Sequence, residues 1–148
     1  MKDKMVLIAD DSPEDQLILR MAFEKAKVNA DIQCVRDGEE TVQYLSGKRN
    51  FRDRKAHPLP VLLLLDLRMP RMDGFDVLAW LQEQTGLKRL PVSVLSSSDE
   101  PTDVNRAYDL GANSYLVKPK GVDGYHELVE KIRGYWLEVN CCPDCRQE

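Results

Sequence analysis

The length, composition and charge of the chain are those of one globular domain, and they exclude several classes of protein. The 148 residues suit a single core, and 43% hydrophobic and 31% charged residues are ordinary proportions for such a domain. The formal net charge of −4, with both signs interspersed, disfavours a nucleic-acid partner. No apolar run approaches the roughly 20 residues that span a bilayer, and the first residues lack the long apolar region of a signal peptide. We therefore expect a cytoplasmic protein that binds neither nucleic acid nor membrane.

Short apolar runs recur along the chain and are separated by longer segments with helical spacing. The runs predict five strands, at residues 6–9, 32–35, 61–65, 92–95 and 115–117. Their alternation with helical segments indicates βαβ units and a parallel sheet. The third run is apolar at every position, so helices should cover both of its faces. The pattern predicts a doubly wound α/β fold with five strands and five helices.

The first helix has a clear start signal. Ser12 can cap it, Pro13 suits the first helical position, and Asp15 completes a capping-box pattern. The apolar stripe predicted to face the core is Leu17, Ile18 and Met21.

Four further helices are predicted from their start residues or their spacing. Asp37 can cap the second helix, Asp73 precedes the third, and the fourth begins near Glu100. The fifth has the most regular spacing. The predicted core positions are, in helix order, Thr41, Val42 and Leu45; Val77, Leu78 and Leu81; Val104, Ala107, Tyr108 and Gly111; and Tyr125, Leu128, Val129, Ile132, Trp136 and Val139.

Two segments do not fit the regular alternation. Residues 47–60 form a long connection with five Lys or Arg residues. Such loops are usually functional or mobile, whereas charge runs are usually only solvated. The tail carries Cys141, Cys142 and Cys145, which would need His126 or a partner chain to complete a zinc site. A reduced, unstructured tail is the simpler interpretation, and Cys34 is interpreted as a small core residue.

Polar residues follow four of the five predicted strands. Asp10 and Asp11 follow the first strand, Asp66 follows the third, Ser96 begins a serine triplet after the fourth, and Lys118 precedes a proline after the fifth. Each alone suits a turn or a helix cap. Their joint occurrence at strand ends indicates a site, because ligands of open parallel sheets bind outside the carboxyl ends of the strands.

The chemistry of these groups favours phosphoryl transfer. Clustered carboxylates repel one another and need a cation, and Mg²⁺ prefers carboxylate, water and phosphate oxygens. A carboxylate can attack phosphorus and form an aspartyl phosphate, and that transfer needs mainly positioning and charge neutralisation. Lys118 can pair with one phosphoryl oxygen, and the Ser96 hydroxyl can donate to another.

On these motifs, residues 4–139 resemble the receiver domains of two-component response regulators. The resemblance is carried by the acid pair, by "LDLRMPRMDG" around Asp66, by Ser96 thirty residues later, and by Lys118-Pro119 twenty-two residues after that. It implies a flavodoxin-like (βα)5 fold with strand order 2-1-3-4-5. It also implies a receiver domain at residues 1–140, followed by the cysteine-containing tail at 141–148. We expect a single-domain regulator that acts through protein contacts.

The resemblance implies roles at the phosphorylation site. Asp66 would be the phosphoacceptor and would take its phosphoryl group from a sensor histidine kinase. The cofactor would be Mg²⁺ (or Mn²⁺), bound directly by Asp11, Asp66 and the backbone carbonyl of Arg68, and through water by Asp10. The protein would not be an enzyme with a separate substrate, because it would catalyse only its own phosphorylation and dephosphorylation.

The resemblance also implies a switch and partners. Ser96 and Lys118 would contact the phosphoryl group, Tyr115 would be the switch aromatic, and the peptide bond before Pro119 would be cis. The partners would be the kinase, a downstream protein and a second copy bound through the fourth helix, fifth strand and fifth helix. The long segment before the third strand, "GANSYLVKP" and "YWLEVN" resemble a narrower group, the small regulators paired with bacterial phytochromes.

Two departures from the family pattern, at Arg68 and Ser97, are expected to modulate the site, together with Ser98. Arg68 could shield the phosphoryl group or steer water, or it could point to solvent, and both interpretations stay open. An alternative function is a receiver-like binding module that works without phosphorylation. A phosphatase of the haloacid-dehalogenase type would need an acid at position 68, and an FMN carrier would need a phosphate loop after the first strand.

Overall fold

A computed structural model describes residues 4–145, and its centre is one parallel sheet. The strands are β1 (Met5–Ala9), β2 (Asp31–Val35), β3 (Leu62–Leu65), β4 (Val92–Ser96) and β5 (Ser114–Val117). They pair in the order β2-β1-β3-β4-β5, and every pair is parallel. The predicted flavodoxin-like strand order is therefore confirmed.

Five α-helices of the described chain cover both faces of the sheet. They are α1 (Pro13–Lys25), α2 (Gly38–Ser46), α3 (Gly74–Gln82), α4 (Pro101–Asp109) and α5 (Val122–Ile132). Helices α1 and α5 pack on one face, and α2, α3 and α4 pack on the other. No helix in the described part of the chain has the length and apolar content needed to cross a membrane.

The central strand β3 explains why an acid can follow an apolar run. All four leucines of β3 are buried, two against the α1 and α5 face and two against the α2 and α3 face. Successive side chains of a strand point to opposite faces, so an all-apolar strand needs cover on both sides. Burying each leucine stabilises the fold by about 1.5–3 kcal/mol. The strand therefore holds the next residue, Asp66, rigidly at the edge of the sheet.

The helix starts follow the predicted caps. The Ser12 hydroxyl accepts a hydrogen bond from the Asp15 N–H at 3.2 Å, and the Asp37 carboxylate accepts one from Glu40 at 2.7 Å. Helix α3 has a complete capping box between Asp73 and its third residue.

The predicted core stripe of α1 was wrong at two of its three residues, because Ile18 packs against the core but the other two are exposed. Leu17 and Met21 are 58% and 56% exposed, whereas Leu19, Ala22 and Phe23 are buried. Both sets of residues have helical spacing. The sheet takes the set that brings the large Phe23 ring into the core, and it leaves two large apolar side chains on the surface.

The last two helices also bury less than their spacing suggested. Only Ala107 of α4 is buried, and Tyr108 is largely exposed. Beyond α5 the chain continues as a π-helix, Arg133–Val139. The wider turn brings Leu137 to the core and leaves Val139 exposed.

The basic segment at residues 47–60 is fixed by its own side chains. The Arg54 guanidinium donates to the carbonyls of Tyr44 and Leu45 at 2.7 and 2.8 Å, at the carboxyl end of α2. The Tyr44 hydroxyl donates to the Pro58 carbonyl at 2.9 Å, and its ring contacts Phe51. The segment therefore covers the end of α2, and neither of the two sequence interpretations included this role.

The cysteine tail does not form a metal site in the described residues. Residues 141–145 have no regular secondary structure, all three of their thiols are free, and Cys145 packs at the edge of the core. Residues 146–148 of the predicted tail, and residues 1–3 of the predicted domain, lie outside the described residues. Over residues 4–145, the one convergent group of metal-binding side chains is Asp10, Asp11 and Asp66.

Candidate functional site

Three carboxylates meet at the carboxyl ends of β1 and β3, which are neighbours in the sheet. Ligand oxygens of Asp10, Asp11 and Asp66 all lie within 4.8 Å of one another. Asp10 and Asp66 are 2% and 6% exposed, while Asp11 is open to solvent. Two acids thus form the floor of the pocket, and one lies at its mouth.

The Lys118 ammonium sits among the buried acids. Its Nζ lies 2.8 Å from Asp10, 3.0 Å from Asp66 and 2.7 Å from Asp15. Burial alone would lower the pKa of Lys118, but hydrogen bonds to Asp10 and Asp15 and the charge of Asp66 raise it well above its ordinary value. The ammonium is therefore charged at neutral pH, and it holds the Asp66 carboxylate from one side.

Asp15 is a member of the site that sequence reasoning missed. It was assigned to a capping box, but its carboxylate bonds to Lys118 and only its backbone N–H meets Ser12. The signal was available in the spacing. Helix α1 begins four residues after β1 ends. An acid in its first turn therefore lies above the strand ends.

Asp10 is held by the first turn of α1. Its carboxylate accepts the Ser12 N–H at 2.9 Å, and its backbone carbonyl accepts the Gln16 side-chain amide at 2.5 Å. Burial raises the pKa of Asp10, and the hydrogen bonds from Lys118 and Ser12 oppose that rise. Asp10 is thus fixed in place by the backbone and by Lys118 at once.

Gly74 lets α3 approach the backbone of Asp66 closely. A Cβ at this position would lie 2.4 Å from the Asp66 carbonyl oxygen and 2.8 Å from the Leu67 Cα. Side-chain carbons essentially never approach backbone atoms this closely. The glycine of the "DG" pair therefore has a packing role at the site, in addition to starting a helix.

Ser96 lies on the other side of Asp66, at the end of β4, and is fully buried. Its carbonyl accepts the Lys118 N–H at 2.8 Å, and its hydroxyl accepts the Ser98 N–H at 3.2 Å. The Tyr115 hydroxyl donates to the Ser98 carbonyl at 2.8 Å. The structure therefore connects the predicted switch residues Ser96 and Tyr115 through Ser98.

Arg68 pairs with an acid on α4, which neither sequence interpretation anticipated. Its backbone N–H donates to the Asp66 carboxylate at 3.3 Å, and its guanidinium lies 3.1 Å from Asp103. Its side chain is 71% exposed, so the charge is at the mouth of the pocket. Ser97 is exposed.

The predicted cis bond before Pro119 was wrong. No peptide bond among residues 4–145 is cis. A cis bond is not needed to aim the side chain, because the trans chain already brings the Lys118 Nζ within 3.0 Å of three carboxylates.

A divalent cation fits the donor set. Asp10, Asp11, Asp15 and Asp66 bring four carboxylates to the pocket against the single charge of Lys118. The converging donors are all carboxylate oxygens, which suit hard ions such as Mg²⁺. Asp10, Asp11 and Asp66 are the residues that could hold such an ion.

A comparison with models of known protein families identifies the family of the chain. The description "Response regulator receiver domain" matches residues 6–133 of the chain. The chain belongs to this family. Response regulator receiver domains are signalling proteins of two-component systems that histidine kinases phosphorylate, and they bind Mg²⁺ or Mn²⁺ in an acidic pocket.

Three relatives are similar over nearly the whole chain. The "Probable methanogenesis regulatory protein FilR2" of Methanothrix harundinacea is 34% identical over 139 residues, which cover 94% of this chain and 87% of that protein. The solved response regulator RPA3017, described in red light signalling of R. palustris, is 38% identical, with a TM-score of 0.89 and coverage of 95% and 98%. The phosphorylated cyanobacterial phytochrome response regulator RcpA is 32% identical, with a TM-score of 0.88 and coverage of 95% and 99%.

Proposed function

We propose that the chain accepts a phosphoryl group on Asp66 from the phosphohistidine of a sensor histidine kinase, with Mg²⁺ bound in the acidic pocket. The observation that carries the proposal is the environment of Asp66. Its carboxylate is 6% exposed at the end of a buried strand, 3.0 Å from the Lys118 ammonium and beside two further acids. A salt bridge with one Lys would not require a convergent cluster of acids on a solvent-facing edge.

Each residue of the pocket has a separate role in the proposed phosphoryl transfer. An Asp66 oxygen attacks phosphorus while the bond from phosphorus to the kinase imidazole breaks, and the imidazole keeps the electron pair and takes up a proton. Lys118 pairs with one phosphoryl oxygen, and the Ser96 hydroxyl donates to another after leaving Ser98. Asp11, Asp66 and the Arg68 carbonyl would hold the metal ion, with Asp10 acting through a water molecule, and the ion would supply charge neutralisation.

The test is Mg²⁺-dependent phosphorylation by a small acyl phosphate, followed by intact-mass spectrometry. Asp66→Asn should take up no acid-labile phosphate, and Asp109→Asn, at an exposed position at the end of α4, should behave like wild type. Uptake at the wild-type rate in Asp66→Asn would refute the assignment. A wild-type protein that takes up none with Mg²⁺ would favour the phosphorylation-independent binding module.

Phosphorylation is proposed to change contacts on the face formed by α4, β5 and α5, where a second copy or a downstream protein binds. Large apolar side chains are exposed there and on the π-helix that follows α5, including Val117 and Tyr135. Between β5 and α5 lies a groove of about 340 Å³ lined by Leu116, Leu128 and Trp136. Sedimentation with and without beryllofluoride and Mg²⁺ tests dimer formation. Val117→Lys should weaken a dimer that uses this face, and an unchanged dimer would place the interface elsewhere.

A bacteriophytochrome is the proposed kinase partner, in a cytoplasmic protein whose receiver domain spans residues 1–140. RPA3017 and RcpA support the light-signalling assignment, and the free cysteines suit a reducing compartment. The similarity to FilR2 supports a different input. Phosphotransfer from a purified bacteriophytochrome should therefore be compared with transfer from an unrelated histidine kinase at equal concentration. Equal rates would remove the light-signalling part of the proposal.

A further inference from the structure

The backbone of Arg68 lies beside the proposed phosphoacceptor Asp66, but its guanidinium pairs with an acid on α4. Its backbone N–H donates to Asp66, so the first atoms of the side chain start at the edge of the pocket. Its guanidinium meets Asp103 through one nitrogen, at 3.1 Å. A guanidinium has five N–H donors in a planar fork, so this single contact leaves most of its donor capacity unused.

Asp103 also binds Ser98, which lies between the two proposed switch residues. Its Oδ2, the oxygen that meets Arg68, accepts the Ser98 hydroxyl at 2.7 Å. Ser98 in turn bonds to the Ser96 hydroxyl through its N–H and to the Tyr115 hydroxyl through its carbonyl. One carboxylate oxygen on the first turn of α4 thus serves both the cation at the pocket mouth and the residue between the two switch side chains.

We propose that Arg68 is a further phosphoryl-binding residue that Asp103 holds in reserve. This inference rests on the proposed phosphorylation of Asp66. In the unmodified protein, Asp103 keeps the guanidinium turned toward α4. When Asp66 carries a phosphoryl group, Arg68 leaves Asp103 and binds phosphoryl oxygens, and Asp103 keeps only Ser98.

The charges and the exposure favour this exchange. A phosphoryl group carries close to two negative charges and three acceptor oxygens, whereas Asp103 carries one charge and already accepts the Ser98 hydroxyl. Hydrogen bonds between a guanidinium and a phosphoryl group are of the strong, often bidentate kind. The pair that must break is weak on the Arg68 side, because the Arg68 side chain is 71% exposed to solvent and the Asp103 side chain 17%.

The test is a double-mutant cycle on beryllofluoride affinity in the presence of Mg²⁺, measured by calorimetry. Asp103→Asn removes the charge that holds Arg68 but keeps an oxygen that can accept the Ser98 hydroxyl. It should tighten beryllofluoride binding by about 1.4- to 5-fold, the equilibrium equivalent of the about 0.2–1 kcal/mol that an exposed ion pair contributes. Arg68→Gln should weaken binding. Asp103→Asn should have no effect when Arg68→Gln is already present.

Glu39→Gln is the matched control. Glu39 pairs with Arg71, an arginine of the same loop with nearly the same exposure, at 3.3 Å on the α2 side. Breaking that pair should leave the affinity unchanged. The proposal is overturned if Asp103→Asn has the same effect with and without Arg68, if it weakens binding, or if Glu39→Gln tightens binding equally. A wild-type protein that binds no beryllofluoride overturns the proposed function together with this one. Normal wild-type binding without the coupling overturns this inference alone.

Discussion

Replacing Gly74 with alanine is expected to damage stability and phosphorylation together. The new Cβ would lie 2.4 Å from the Asp66 carbonyl oxygen, whereas atoms in contact sit about 3.5–4.0 Å apart. Roughly 1 Å of movement is needed, and the obstructing atoms are backbone, so no side chain can turn aside. Overpacking of this kind costs about 1–3 kcal/mol. Because the displaced backbone carries the nucleophile, and a 1 Å misplacement can cost about 100-fold in rate, we expect phosphorylation to slow by about 10- to 100-fold.

Gly134→Ala is the control for the Gly74 prediction. A Cβ at Gly134 meets no atom within 4 Å, so the same chemical change should be neutral there or should stabilise the protein by up to about 1 kcal/mol. Urea unfolding of both variants gives the free energies, and uptake from a small acyl phosphate gives the rates. A Gly74→Ala protein as stable and as fast as wild type would refute the close approach of α3 to Asp66. Equal losses in both variants would show that the cause is not steric.

Three further perturbations follow from the same contacts. Lys118→Met leaves buried acids without their cation and should destabilise the protein by about 3–5 kcal/mol at pH 7 in urea unfolding. Because the folded-state pKa of Asp10 is raised, lowering the pH toward that pKa should restore part of the loss, and a deficit that grows on acidification would contradict this. Mg²⁺ at about 100 times its Kd should raise the free energy of unfolding by about 2.7 kcal/mol, and Asp11→Asn should abolish that gain. An equal gain in the variant would exclude Asp11 as a ligand. Arg54→Gln removes donors to the α2 carbonyls and should lower the free energy of unfolding by about 1–3 kcal/mol without slowing phosphorylation. The control Arg52→Gln, at an exposed position, should lower it by about 0.5 kcal/mol or less. Equal losses would show that the carbonyl contacts contribute nothing.

The sheet and the centre of the site could be predicted from the sequence because each depends on local patterns that combine. Uninterrupted apolar runs identify buried parallel strands, and polar residues just after the strands then share one edge. This logic locates Asp10, Asp66 and Lys118 without knowledge of any side-chain contact. The structure brings the Lys118 Nζ within hydrogen-bonding distance of both carboxylates.

The failed predictions share a different cause. Helical spacing could not separate the stripe containing Leu17 from the stripe containing Leu19, because both repeat every three or four residues and only packing against the sheet decides between them. The partner of Arg68 lies 35 residues away, on another helix. Asp15 could both cap a helix and bind Lys118, and the cap was the local choice. Long-range contacts of polar side chains leave no periodic signal in a sequence.

The charges of the pocket favour cations from more than one source. Lys118 is a single positive charge among four carboxylates, and a phosphoryl group on Asp66 would add further negative charge. Like charges at these distances raise one another's energy unless cations screen them. Asp11 is at the open mouth, where a metal ion can enter without disturbing the buried floor. Arg68 is at the same mouth, held by a weak exposed pair. Asp11 and Arg68, which are proposed to bring a metal ion and a guanidinium to the phosphoryl group, are therefore exposed, while Asp10, Asp66 and Lys118 are fixed by buried strands and hydrogen bonds.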